Sequence, residues 1–176
     1  MMKGKIMFDR AAGYIFKLEG GYVNDPDDSG GATNLGITQN VYDSTKKKDV
    51  KNITEAEAES IYLKNYWLPS KCDIIDKTHP ALAAIHFDCA VNCGVYQANK
   101  LLQRALGVED DGVIGSITLR SVRMCDEVKA SMAYLHKRAD FYKLLAKKPR
   151  QGKFLKSWIH RLKFLSRMYG IPFNEA

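Results

Sequence analysis

Phe8, Ala12, Ile15, Phe16 and Leu18 recur at three- to four-residue spacing, which predicts an amphipathic helix that stops where Gly20-Gly21 follow Glu19. Val23, Leu35 and Ile37 are then separated by Asn, Asp, Pro and Gly, the pattern of a small irregular hairpin. Thr54 and Glu57 form a capping box, with Ile53 and Ala58 placed as a hydrophobic staple, so a helix is expected from about Glu55 to Tyr66. Pro80 at a first helical position opens another, running to about Cys93 and breaking at Gly94. Ala98, Leu101, Leu102 and Ala105 make an apolar stripe that Gly107 ends, and Asp110-Asp111-Gly112 is a turn. A short helix starts at Ser116 or Ile117, and Glu127 to Ala146 and Lys153 to Tyr169 are two longer ones, with Phe141, Leu144, Phe154, Trp158, Leu162 and Leu165 as their inward faces. Strands alternating with helices, the mark of a parallel sheet, are missing, so the fold expected is mainly α with one small β element.

At 176 residues and 45% hydrophobic, the chain can bury one sizeable core with a weakly separated second lobe. No run approaches the roughly eighteen apolar residues of a membrane span. The start, Met1-Met2-Lys3-Gly4-Lys5, is basic, but Asp9, Arg10, Lys17 and Glu19 interrupt the segment behind it, so it does not read as a secretory signal. The formal charge is +7, and Lys137 to Arg167 holds eleven Lys or Arg against the single acid Asp140. A basic surface of that kind draws anionic wall polymers, lipid headgroups or nucleic acid. Neither a helix-turn-helix pattern nor an aromatic nucleic-acid signature accompanies it, so nucleic acid is not the expected partner.

The densest chemistry lies in residues 19 to 38, where four acids, several small polar side chains and five glycines crowd together. Glu19 falls in the last helical turn, at the negative end of the helix dipole and near apolar neighbours, and both effects raise a carboxyl pKa. An acid that keeps its proton near neutrality can protonate the oxygen that departs when a glycosidic bond breaks. Asp28 follows, then Gly30-Gly31, whose lack of side chains lets backbone amides approach a bulky ligand, then Thr33, whose hydroxyl can hold a water. The acidic loop lacks the oxygen-ligand spacing and closing Glu of a twelve-residue calcium loop.

The run Glu-Gly-Gly-Tyr, then Asn-Asp-Pro-x-Asp-x-Gly-Gly-x-Thr-Asn-x-Gly-Ile-Thr, resembles the signature of glycoside hydrolase family 108, the lysozyme-like N-acetylmuramidases of phages and bacteria, some of them labelled secretion activators. The resemblance continues through Ile61-Tyr62, Tyr66-Trp67 and Asp88-x-x-Val91-Asn92-x-Gly94. It resumes in Leu102-Gln103, Leu106-Gly107-Val108, Asp111-Gly112-x-Ile114-Gly115 and Thr118, which are similar to a peptidoglycan-binding second half, and in Arg138, Phe141-Tyr142 and Trp158-x-x-Arg161. It implies a lysozyme-like α-helical fold with the hairpin beside the catalytic glutamate. It also implies a catalytic lobe over residues 1–94 and a peptidoglycan-binding-like lobe over 95–176.

By that resemblance Glu19 is the general acid, Asp28 the second carboxylate, and Thr33 or Asn34 the holder of the attacking water. Tyr22, Gly30, Gly31, Asn34 and Asn92 are implied to contact the glycan. Two departures matter. Thr33 comes one residue early for the spacing of phage lysozymes, whose third position falls on Asn34, and Ser29 stands where the family motif has Pro. Asn92 and Gly94 are equally explained as an ordinary helix end, and Tyr22, Tyr66 and Trp67 serve either as sugar-stacking rings or as core.

Cys89 and Cys93 lie one helical turn apart on the face that carries His86, yet no fourth ligand or paired Cys-x-x-Cys turn completes a metal site. Buried thiols are the expected state of Cys72, Cys89, Cys93 and Cys125, with no metal and no cofactor. No Cys sits in the electropositive helix start that a thiol protease needs. The expected function is a hydrolase of the β-1,4 bond between N-acetylmuramic acid and N-acetylglucosamine in peptidoglycan. The alternative is a wall-binding protein of low or no activity that assists secretion or lysis. The expected itinerary is synthesis in the cytoplasm, release by a separate route and action on the wall, in the periplasm or outside the cell.

Overall fold

A computed structural model of the chain describes residues 3–24, 32–43 and 47–174. The chain divides into two compact units, Met1–Pro69 and Ser70–Ala176.

In the first unit, α1 (Lys3–Glu19) leads to β1 (Thr33–Asn34) and β2 (Ile37–Thr38), then α2 (Gln39–Tyr42) and α3 (Glu55–Tyr62), the last continued by a π-helical turn over Leu63–Trp67. The strands pair antiparallel, Thr33 with Thr38 and Asn34 with Ile37, and Val23 bridges Thr33 from the other side. Leu35 (φ 50°) and Gly36 (φ 73°) make the two-residue connection, the left-handed pair that tight hairpins use. Leucine is a costly occupant of that region, and the Tyr62 hydroxyl holds the turn by donating to the Leu35 carbonyl at 3.0 Å. The capping box forms as expected: Thr54 N donates to Glu57 Oε2 (3.0 Å) and Glu57 N to Thr54 Oγ1 (3.2 Å). Phe8, Ala12, Ile15, Ile37, Val50, Ile53, Ala58, Tyr62 and Trp67 form the core. Trp67 is buried edge-on to Phe8 with centroids 5.4 Å apart, which makes it a core ring.

The second unit contains α4 (Cys72–Ile75), α5 (Pro80–Cys93), α6 (Val95–Leu106), α7 (Ser116–Met124), α8 (Glu127–Ala146) and α9 (Leu155–Tyr169), preceded by a 3₁₀ turn at Gly152–Phe154. α5 is buried on all sides from Leu82 to Ala90, as a central helix must be when α4, α6 and α8 all pack on it. α7 adds to α6 and α9 to α8. Gly107 (φ 69°) and Gly170 (φ 65°) end α6 and α9 in the left-handed conformation. The inward face of α8 differs from the sequence expectation. Tyr134, Leu135, Arg138, Ala139 and Tyr142 point inward, while Leu144 is 63% exposed and Phe154 42%. An arginine belongs to the buried stripe, and treating it as an outer residue displaces the apparent stripe around the helix.

The fold is therefore mainly α, with one small antiparallel hairpin following α1 among the described residues. No helix among those residues is long and apolar enough to cross a membrane.

Candidate functional site

Glu19 is the last residue of α1, and Gly20 (φ 79°) follows it in the left-handed conformation, its N–H donating to the Phe16 carbonyl at 3.2 Å. This is the single-bond αL cap, in which a glycine ends the helix without strain. The cap fixes where the chain leaves the helix. Val23 N donates to the Thr33 carbonyl and Thr33 N to the Val23 carbonyl, both at 2.8 Å, so the strand leaving Glu19 is paired with β1. The segment after the acid and the residue Thr33 are thereby brought together. Asp28, Gly30 and Gly31 lie outside the described residues, as does the side chain of Glu19.

Successive side chains of a strand take opposite faces. The Asn34 amide donates to the carbonyls of Val50 (3.3 Å) and Lys51 (3.0 Å), which leaves Thr33 on the other face. Gln39 closes the same loop, donating to the Asp43 carbonyl (3.2 Å) and the Lys48 carbonyl (2.7 Å) and accepting from Val50 N (2.8 Å). Tyr22 is 38% exposed, with Lys51 Nζ 5.6 Å from the centre of its ring. Beneath the hairpin, Tyr62 meets Phe16 of α1 (5.5 Å between centroids) and Tyr66 (5.6 Å) and reaches Leu35 through its hydroxyl. One buried tyrosine thus joins the last turns of α1, α3 and the hairpin. Its place in the motif Ile61-Tyr62 was legible; its linking role was not.

Asn92, in the last turn of α5, belongs to the second unit and is exposed. Its Oδ1 accepts from the Tyr142 hydroxyl at 2.6 Å, and that hydroxyl accepts from Arg138 Nη2 at 3.0 Å. Burial pushes the Tyr142 phenol up from its ordinary value, so it keeps its proton. Arginine only donates, so that proton is available to Asn92 Oδ1.

Arg138 is fully buried and also donates to Asp88 Oδ2 (2.7 Å) and to the Ile85 carbonyl (3.2 Å). Arg161 Nε takes Asp88 Oδ1 at 2.8 Å. Trp158 stacks on Tyr142 with centroids 5.3 Å apart. Residues that the sequence presents as scattered matches, Asp88, Asn92, Arg138, Tyr142, Trp158 and Arg161, form one network. An arginine at an inward position of α8 was the available signal for it.

Cys93 completes this corner, its Sγ 3.5 Å from Asn92 Oδ1 and 3.6 Å from Tyr142 Oη. A hydrogen bond from Cys89, with help from Arg138 and Tyr142, brings the Cys93 thiol down to about 7 against the opposing effect of burial. Burial holds Cys72 and Cys89 far above the ordinary thiol value. All four cysteines are free. His86 has its Nδ1 2.9 Å from the Tyr134 hydroxyl, and burial pushes it down to about 4, so it is neutral at physiological pH.

Two family matches cover most of the chain: Glycosyl hydrolase 108 over residues 12–94 and Predicted Peptidoglycan domain over residues 97–163. The chain is also similar to the solved structure of Brucella abortus SagA, at 32% identity over 94% of both chains and with a TM-score of 0.80. No curated protein matches it.

Proposed function

The chain belongs to the glycosyl hydrolase 108 family, and from that premise we propose that it is an N-acetylmuramidase cutting the β-1,4 bond between N-acetylmuramic acid and N-acetylglucosamine. The observation that carries the reading is the glycine-capped end of α1 at Glu19, with the strand that leaves it paired to β1 at Thr33. A carboxyl at a helix C-terminus is disfavoured as an anion, which suits a general acid. Glu19 protonates the departing sugar oxygen. Asp28 stabilises the positive charge developing on the sugar ring or assists the water that attacks it. Thr33 holds that water, because the Asn34 amide is occupied by the backbone of Val50 and Lys51. Gly30 and Gly31 admit the glycan and Tyr22 offers it a ring; in the second unit, the exposed Asn92 is a separate contact for the glycan. The site of action is the cell wall, in the periplasm or outside the cell.

Glu19→Gln removes the proton donor while keeping the size of the side chain. Release of reducing ends from purified peptidoglycan should fall by about 10²- to 10⁴-fold, the usual contribution of a general acid. Undiminished turnover would remove Glu19 from the mechanism. The match of residues 97–163 to a peptidoglycan domain favours wall binding as well. The Glu19→Gln protein should therefore still sediment with insoluble walls. If the unaltered protein sediments with walls and releases no reducing ends, its role is wall binding alone.

A further inference from the structure

Between Phe141 and Phe173 the chain carries nine Lys or Arg and no Asp or Glu. One of the nine, Arg161, turns inward to Asp88. Lys156, His160, Lys163 and Arg167 of α9 are exposed, and their spacings are four, three and four residues. At the helical repeat of about 100° per residue, these four fall within an arc of about 60°. Ile159, Leu162 and Leu165, which are buried, occupy the other side of the helix. Phe164, 41% exposed, borders the row. Phe154, 42% exposed, precedes the helix with Lys153 Nζ 5.0 Å from the centre of its ring.

We propose that this outer face of α9 docks the protein on an anionic phospholipid surface. Lys156, Lys163 and Arg167, in a segment whose sequence has no Asp or Glu between Phe141 and Phe173, complement a plane of phosphates, and each cation brought to such a surface is worth about fivefold in partitioning. The exposed phenylalanines select lipid over a soluble polyanion. Aromatic rings beside cations gain apolar burial at the depth of the headgroups, a gain that anionic glycan or duplex nucleic acid does not offer in the same form. The inference stands apart from the proposed cleavage, since a lipid vesicle contains no glycan.

The test is sedimentation of the full-length protein with vesicles of phosphatidylglycerol and phosphatidylcholine, against vesicles of phosphatidylcholine alone. Binding is expected to the first and not the second, and raising the salt from about 0.1 M to about 0.5 M should weaken it. Lys156→Gln/Lys163→Gln/Arg167→Gln should lower partitioning at least tenfold. Lys77→Gln/Arg123→Gln/Lys129→Gln removes the same charge from exposed positions of the same unit and should change it less than twofold. Phe164→Ser should lower it several-fold with no change of charge. Circular dichroism establishes that each variant is folded.

Equal losses in the two triple variants, full binding by the α9 triple variant, or indifference to Phe164→Ser would overturn the proposal. So would duplex DNA, added at equal phosphate, stripping the protein from the vesicles through the same row.

Discussion

Asp88→Asn tests the buried network by removing one charge and changing almost no volume. Asp88 is 2% exposed and receives Arg138, which is fully buried, at 2.7 Å and Arg161 at 2.8 Å. Arginine does not give up its proton in a protein, so both guanidinium charges stay in place when this carboxylate loses its own. An asparagine accepts a hydrogen bond from one of them and turns an N–H₂ toward the other. Breaking a buried pair in this way costs about 3–5 kcal/mol, because a desolvated charge is left behind. In a unit of about 100 residues that corresponds to a fall in Tm of about 12–20 °C.

The assay is thermal unfolding followed by circular dichroism at 222 nm, at low and high salt. Salt should leave the effect nearly unchanged, since ions do not screen a pair that excludes water. Asp88→Leu/Arg138→Met/Arg161→Leu, which removes all three charges, should cost much less than Asp88→Asn alone. A fall in Tm below about 4 °C for Asp88→Asn, equivalent to about 1 kcal/mol, would refute the reasoning.

Tyr142→Phe removes the donor that orients the Asn92 amide; apparent KM for wall fragments should rise about fivefold with kcat held, the worth of about 1 kcal/mol for one hydrogen bond. A loss of stability with an unchanged KM would make the contact merely structural. Cys93 should be the thiol alkylated first by iodoacetamide, with a rate that rises through a midpoint near pH 7, because its thiol lies at about 7 while Cys72, Cys89 and Cys125 are all raised. Peptide mapping after a short pulse reads this directly. Glu57 is held at about 2, first by the Thr54 backbone N–H, then by the Thr54 hydroxyl, Tyr42 and Lys48. A depressed carboxyl stabilises above its unfolded value and loses that contribution as pH falls toward about 2. The Tm difference between the unaltered protein and Glu57→Gln should therefore be present at pH 6 and vanish near pH 2.

The local elements were legible because their signals are local. Pro80 and Gly94 bound α5, Thr54 and Glu57 cap α3, and Gly107 ends α6, each by chemistry confined to a single turn. The family motif from Glu19 to Thr38 was legible for the same reason, as one continuous run. The continuation of α3 into a π-helical turn and the short helix α4 carry no comparable punctuation and went unread, as did the four-residue α2, although Thr38 caps it.

The sequence by itself determined the ends of α5 and α6, the cap of α3, the place of Glu19 at the end of α1 and the family, all properties of neighbours along the chain. Tertiary structure alone decided which distant groups would share a buried charge. Asp88 meets Arg138 fifty residues later and Arg161 seventy-three residues later. Whether an arginine faces water or a carboxylate depends on desolvation by helices packed around it, and no spacing along the chain encodes that. The different surroundings of Thr33 and Asn34 arise in the same way. Adjacent in sequence and similar in chemistry, they separate only when the strand puts the Asn34 amide on the Val50–Lys51 backbone and Thr33 on the opposite face.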